Sequence, residues 1–166
     1  MIIEQIKDLI TNDPSYEFLK TDPHLGDKII LLTLGGSYAY GTNTETSDVD
    51  VRGIALQSKR ELLLGDNFEQ VLNSTTDTTV YSFNKMIQLL YQCNPNCIEI
   101  LGCKPEQYFI LTEAGKLLLD NREIFLSKRC IKTFGGYAIS QLRRLENISN
   151  RYISQSQQEK HILDTI

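Results

Sequence analysis

Apolar positions change their rhythm several times along this chain, and each change predicts an element. Ile2, Ile3, Ile6, Leu9 and Ile10 recur at helical spacing, which predicts an amphipathic opening helix. Residues 11–27 carry Pro14, Pro23 and several turn formers, and read as a loop with one helical turn. Lys28–Leu34 (KIILLTL) is a short apolar run bounded by Gly26-Asp27 and Gly35-Gly36, as a buried strand would be. In Asp48–Leu56 (DVDVRGIAL), Asp48, Asp50 and Arg52 alternate with Val49, Val51 and Ile54, which predicts a second strand with both carboxylates on one face. Ser58 can cap a short helix through Glu61–Leu64. Thr75–Ser82 is rich in strand-forming Thr, Val and Tyr, and Phe83–Tyr91 has helical periodicity up to Asn94-Pro95. From Asn96 onward the chain reads as helical: Cys97–Leu101, Thr112–Asp120 and Ser127 to about Asn150, with Glu159–Ile166 as the start of another helix. The pattern therefore predicts an α+β protein, with an α/β core over residues 1–92 and a helical region over 93–166.

Composition narrows the class. With 166 residues and 41% hydrophobic content, the chain suits one domain, or one domain with a helical appendage. A net charge of −4 excludes the uniformly basic surface of a general nucleic-acid binder, so any nucleic-acid contact needs a local patch. Cys93, Cys97, Cys103 and Cys130 show no CxxC pairing, and His24 and His161 stand at no matching spacing, so free thiols are expected and a zinc site is not. The first ten residues mix charged and apolar types unlike a secretory leader, and no apolar run approaches the roughly 20 residues a membrane span needs. A cytoplasmic protein without a membrane segment is the expectation.

Leu34–Gly53 (LGGSYAYGTNTETSDVDVRG) carries the chemistry. A buried strand ending in Gly35-Gly36-Ser37 lets the backbone approach a ligand closely, and a helical turn starting at Ser37 would aim free N–H groups at an anion. Asp48-Val49-Asp50 follow Ser37 with ten residues between. Carboxylates on one face repel unless a cation sits between them, and Mg²⁺ commonly fills that role. Alone, a Gly-Gly-Ser is usually a turn and an Asp-x-Asp usually a solvated face. Together, in order and between two apolar strands, they form the equipment for phosphoryl or nucleotidyl transfer.

The same segment resembles the signature of the DNA polymerase β-like nucleotidyltransferase superfamily: an apolar strand, Gly-Gly/Ser, about ten residues, then Asp-x-Asp/Glu between apolar residues. Its fuller form, GSYAYG followed by SDVDVRG, is similar to the predicted nucleotidyltransferases related to the RNA-repair-pathway polymerase β family. Asp77–Tyr81, Asn84-Lys85, Asn94-Pro95, Glu99–Leu101 and Tyr137–Leu145 resemble later elements of that subgroup. Its members generally continue further at the C-terminus, and both a natural short form and a truncated relative fit what is seen here.

The resemblance implies a small mixed sheet followed by helices, and transfer of an NMP from an NTP to an acceptor hydroxyl. It implies that Asp48 and Asp50 hold two Mg²⁺ (or Mn²⁺) ions, with a third carboxylate on a neighbouring strand. Asp77 is the choice for that role, with Glu69 and Asp66 as alternatives. Gly35, Gly36 and Ser37 would steady the triphosphate. Arg52 could reach a phosphate or pair with the aspartates, and Lys85 is a weaker nucleotide-binding candidate. Tyr38 and Tyr40 could stack on a base or pack on the sheet. Lys132, Arg143 and Arg144 could form a basic strip for RNA or a solvated helix face. The acceptor could be an RNA end, tRNA, a protein or a small molecule. A catalytically inactive nucleotide-binding partner module is the reading from outside the enzymes.

Overall fold

The computed structural model describes residues 2–65 and 68–151, so Asp66, His161 and the helix expected at Glu159–Ile166 fall outside the described residues. Ile3–Asn12 forms α1, burying Ile6 and Ile10, and after a tight turn Phe18–Thr21 forms the short α2. Ile29–Leu34 is β1, with all six residues buried. Gly36–Tyr40 forms α3, Val51–Ala55 forms β2, and Lys59–Leu64 forms α4. Ser58 starts α4 as expected: its hydroxyl accepts from the Glu61 N–H while the Glu61 carboxylate takes the Ser58 N–H, which satisfies two otherwise unpaired donors. Gln70–Asn73 and Thr78–Ser82 are β3 and β4, followed by α5 over Phe83–Tyr91 and α6 over Pro95–Ile100. Tyr108–Leu111 is β5, and Glu113–Asp120 is α7, capped by Thr112.

The five strands form one mixed sheet in the order β3-β4-β2-β1-β5. Among the described residues only the β2–β4 pair is parallel, and the other pairs are antiparallel. Helices cover both faces, which explains why β1 reads as a continuous apolar run rather than an alternation. One core joins Ile6, Ile10, Leu19, Leu32, Leu34 and Val51. The opposite face packs Leu31, Ile54, Met86, Leu90, Ile100 and Leu118. Helix α7 lies so close to the sheet that a Cβ on Gly115 would collide with the Ile30 carbonyl oxygen.

Two strands depart from expectation. β3 and β5 are four residues each, and the segment expected to be helical from residue 93 contributes β5 to the sheet edge beside β1. Residues 1–127 consequently form one compact unit, and the boundary expected at residue 92 falls inside it. The second unit begins at Lys128, and its described part is the helix α8, Arg129–Arg151. Along α8, Ile131, Phe134, Ala138, Leu142 and Leu145 follow helical spacing, while Lys132 and Arg143, eleven residues apart, return to a common side. No helix among the described residues is long and apolar enough to cross a membrane.

Candidate active site

Three chain segments converge at one end of the sheet. β1 runs toward that end and delivers Gly35 and Gly36 just past Leu34. β2 is antiparallel and starts there: Leu34 stands opposite Val51, and the Gly35 N–H donates to the Asp50 carbonyl at 2.9 Å. β4 is parallel to β2, with Val51 opposite Thr78, so Asp77 arrives at the same end. The Val51 N–H fixes it by donating to the Asp77 carbonyl at 3.1 Å.

The glycine turn is shaped around Asp50. Gly36 takes φ +53, a left-handed conformation that glycine adopts at no steric cost. A Cβ there would overlap the Asp50 carboxylate. Helix α3 starts at this residue, with half-buried Ser37 in its first turn. Its far end is held by Gln107, whose Nε2 donates to the carbonyls of Tyr38 at 3.2 Å and Ala39 at 3.1 Å. Gln107 is 4% exposed, and its own carbonyl accepts from Thr33 Oγ1 on β1 at 3.1 Å. This glutamine therefore ties the turn to β1 across the base of β5. Its Oε1 also accepts from the Lys104 N–H at 2.7 Å, but the partners that tie it to the turn and to β1 lie 68 to 74 positions away, where local sequence does not reveal them.

Asp50 sits just before β2 rather than within it, and Asp48 is exposed two residues earlier. The strict alternation expected from Asp48 onward therefore begins only at Val51. Asp50 and Asp48 are related through charge: burial, a hydrogen bond with Asp77 and the charges of Asp77 and Asp48 raise the Asp50 carboxyl to about 6, with Arg52 opposing them. Asp77 lies in the four-residue turn joining β3 to β4, at φ +41. Asn73 shapes that turn by accepting from the N–H groups of Thr75 and Thr76 at 3.0 and 3.2 Å.

Arg52 joins these acids. Its Nη2 is 2.9 Å from Asp50 Oδ1 and 3.2 Å from Asp77 Oδ1, and its Nη1 is 3.2 Å from the same Asp77 oxygen. Of the two roles open to Arg52 from sequence, ion pairing is the one seen. Among the described residues no three His, Cys, Asp or Glu side chains gather closely enough to hold a metal as they stand. The donor chemistry nevertheless fits a hard cation: Asp50 and Asp77 both accept from the one Arg52 nitrogen, and the charges of Asp77 and Asp48 act against that of Asp50.

Lys85 is not part of this constellation. It lies in the first turn of α5, beyond the far end of β4, and its Nζ pairs with Glu69 Oε2 at 2.8 Å. The five residues of β4 separate it from Asp77 by about 16 Å of strand at ~3.3 Å per residue. Glu69, the alternative third carboxylate, is at that far end too. Tyr38 is buried against the core, whereas Tyr40 is exposed.

The sequence profile of the RNA repair pathway DNA polymerase beta family matches residues 10–160. An uncharacterized 38.9 kDa protein from the nrdC-mobD intergenic region of Enterobacteria phage T4 is 28% identical over 127 residues, covering 69% of this chain and 38% of the phage protein. The chain thus spans less than half the length of that curated relative. Among solved structures, the chain is similar to a toxin–antitoxin protein crystallised with AMP-PNP, at 17% identity and a TM-score of 0.32, over 92% of this chain and 100% of that one. It is also similar to a mutant of the toxin–antitoxin MntA-HpeT, at 15% identity and a TM-score of 0.30, with the same coverage of 92% and 100%.

Proposed function

The chain belongs to the RNA repair pathway DNA polymerase beta family, and from that premise we propose that it transfers an NMP from an NTP to an acceptor hydroxyl, releasing pyrophosphate. One observation carries the reading. The Asp50 carboxylate is seated against the Gly36 turn, with the Asp77 carboxylate beside it on the same Arg52 nitrogen, at a single end of the sheet. An anion-accepting turn and a cation-seeking acidic group are thereby in contact, as transfer of a nucleotidyl group requires.

Asp48 and Asp50 would hold two Mg²⁺ ions, or Mn²⁺ in their place, and Asp77 would serve one of them. When bound, the ions neutralise phosphate charge and lower the pKa of the acceptor hydroxyl. The remaining work belongs to the chain. The Gly35–Gly36 backbone and the Ser37 hydroxyl steady the β- and γ-phosphates, so that the α-phosphorus faces the acids. Asp77, half exposed, is within reach of an incoming hydroxyl and accepts its proton at a carboxylate oxygen. Gln107 keeps α3 in place, which preserves the position of the turn relative to Asp50.

For the acceptor, an RNA end is the first reading. The described part of α8 carries Arg129, Lys132, Arg143 and Arg144 against a single acid, Glu146, and such a strip suits a phosphate backbone. A specific observation favours a second reading, transfer to a protein or small molecule: residues 1–127, which hold the candidate site, contain 18 acidic and 10 basic residues. The test incubates the protein with each α-³²P-labelled NTP, Mg²⁺ and, in turn, an RNA oligonucleotide, tRNA and a cell extract. Labelled RNA with pyrophosphate release is expected, and Asp48→Asn and Asp50→Asn should abolish it. Label found only on protein would select the second reading. Nucleotide binding without pyrophosphate release on any acceptor would replace both with a nucleotide-binding module that performs no transfer.

A further inference from the structure

We propose that Arg52 is the site's own counter-cation, displaced when a divalent ion binds and thereafter available to grip the nucleotide's phosphates. The proposal rests on the transferase reading above, and it concerns how the site moves between its empty and loaded forms.

The guanidinium stands where a bridging cation would stand. It contacts Asp50 Oδ1 at 2.9 Å and Asp77 Oδ1 at 3.2 Å, and two backbone carbonyls, those of Val51 at 3.1 Å and Asp77, complete its shell. Its side chain is 24% exposed, and that of Asp50 is 15% exposed. A partly buried acidic pair left without a cation is costly, so Arg52 provides what the empty site needs. The match is incomplete, however. One positive charge faces the carboxylates of Asp50 and Asp77, with Asp48 adding a third negative charge nearby. A divalent ion balances that group better than a guanidinium does, and both cannot occupy one place.

The stem of Arg52 shows where the displaced head remains. It crosses directly over Gly35, with Cγ only 2.9 Å and Nε 3.6 Å from where a Cβ on that residue would stand. Gly35 precedes the Gly36–Ser37 turn assigned to the phosphates, so a released guanidinium stays beside the nucleotide's anionic tail. A planar fork with several N–H donors suits that second partner as well as the first. Ion and nucleotide binding are then coupled: the ion frees the arginine, and the triphosphate gives it a new anion. Reciprocity requires that each ligand tighten the other.

The experiment measures Mn²⁺ binding by electron paramagnetic resonance without nucleotide, then binding of a non-hydrolysable ATP analogue at saturating Mn²⁺. Wild type, Arg52→Gln and Arg52→Lys are compared, with circular dichroism melts to establish folding. Arg52→Gln should bind Mn²⁺ about tenfold more tightly and the analogue about tenfold more weakly, within the usual range of coupling between sites. Arg52→Lys, which keeps the charge but cannot fork across both acids, should shift both affinities in the same directions by less, and it serves alone if the glutamine variant does not fold. A merely structural role would weaken both ligands together. Mn²⁺ affinity unchanged or reduced in the folded variants overturns the displacement while leaving the metal site standing. Absence of Mn²⁺ binding in every form, wild type included, overturns the transferase reading itself.

Discussion

Asp77 occupies a left-handed backbone position that aspartate tolerates but glycine or asparagine would fill more easily. Its carbonyl is held by Val51 and Arg52, and its carboxyl faces Asp50, so the turn keeps a chemically useful residue at a conformationally awkward place. Asp77→Asn should leave folding stability within about 0.5 kcal/mol, because asparagine accepts the same backbone and the carbonyl contacts survive. Nucleotidyl transfer should nevertheless fall by about two orders of magnitude, the scale associated with losing a proton-transfer group. Thermal melts and pyrophosphate release would separate the two effects. Asp50 yields a pH prediction. Its folded-state carboxyl is raised to about 6 from an ordinary 3.8, so the folded state holds its proton more firmly than the unfolded chain. Stability from this group is therefore greatest below 3.8, declines as pH rises to about 6, and is flat above. Asp50→Asn should remove that slope and, without metal, stabilise the fold at pH 7 by about 1–2 kcal/mol, as urea denaturation at pH 5 and 7 would report. Mn²⁺ affinity should rise with pH up to about 6, as the proton leaves the Asp50 oxygen that would hold the ion. At this scale, the Asp-x-Asp pair and the glycine turn were legible because type and spacing alone mark them. The pairing of Arg52 was one of two open options, and Lys85 was misplaced because a helix-start lysine carries no sign of which sheet end it occupies.

Among the elements, the helices were easier to read than the strands. Phe83–Tyr91 was predicted with the bounds that α5 shows, and the caps at Ser58 and Thr112 were visible as residue types that accept hydrogen bonds from free N–H groups. β3 and β5 were not, since four residues of Gln-Val-Leu-Asn or Tyr-Phe-Ile-Leu give too short a pattern to tell strand from helix. What makes β5 a strand is pairing with β1, nearly 80 positions earlier, through Leu31–Leu111 and Leu32–Ile110. The packing of α7 shows the same non-local cause. Gly115 looks dispensable in a helix of good formers, yet it permits contact with the Ile30 backbone. Gly115→Ala, normally a gain in helix propensity, should instead cost about 1–3 kcal/mol through overpacking, measurable by chemical denaturation. A neutral or stabilising result would show that α7 can move outward without loss.

Across the whole molecule, charge is sorted by region: acidic residues dominate 1–127, while α8 is basic. Net charge alone hid that division, as composition also hid the extension of the compact unit to Ser127. If α8 supplies the RNA contact, the combined Lys132→Gln, Arg143→Gln and Arg144→Gln variant should bind an RNA oligonucleotide with a salt slope shallower by about two to three, leaving ATP-analogue affinity unchanged. Fluorescence anisotropy at several salt concentrations measures both. An unchanged slope would direct attention to protein or small-molecule acceptors. The order in which the acids enter the sheet has a consequence for synthesis. Asp48 and Asp50 leave the ribosome together, but Asp77 follows only after α4 and β3, and β4 must align beside β2 before it meets them. A nascent chain halted before residue 77 would carry two of the acids yet lack both the third and the strand that brings it beside β2.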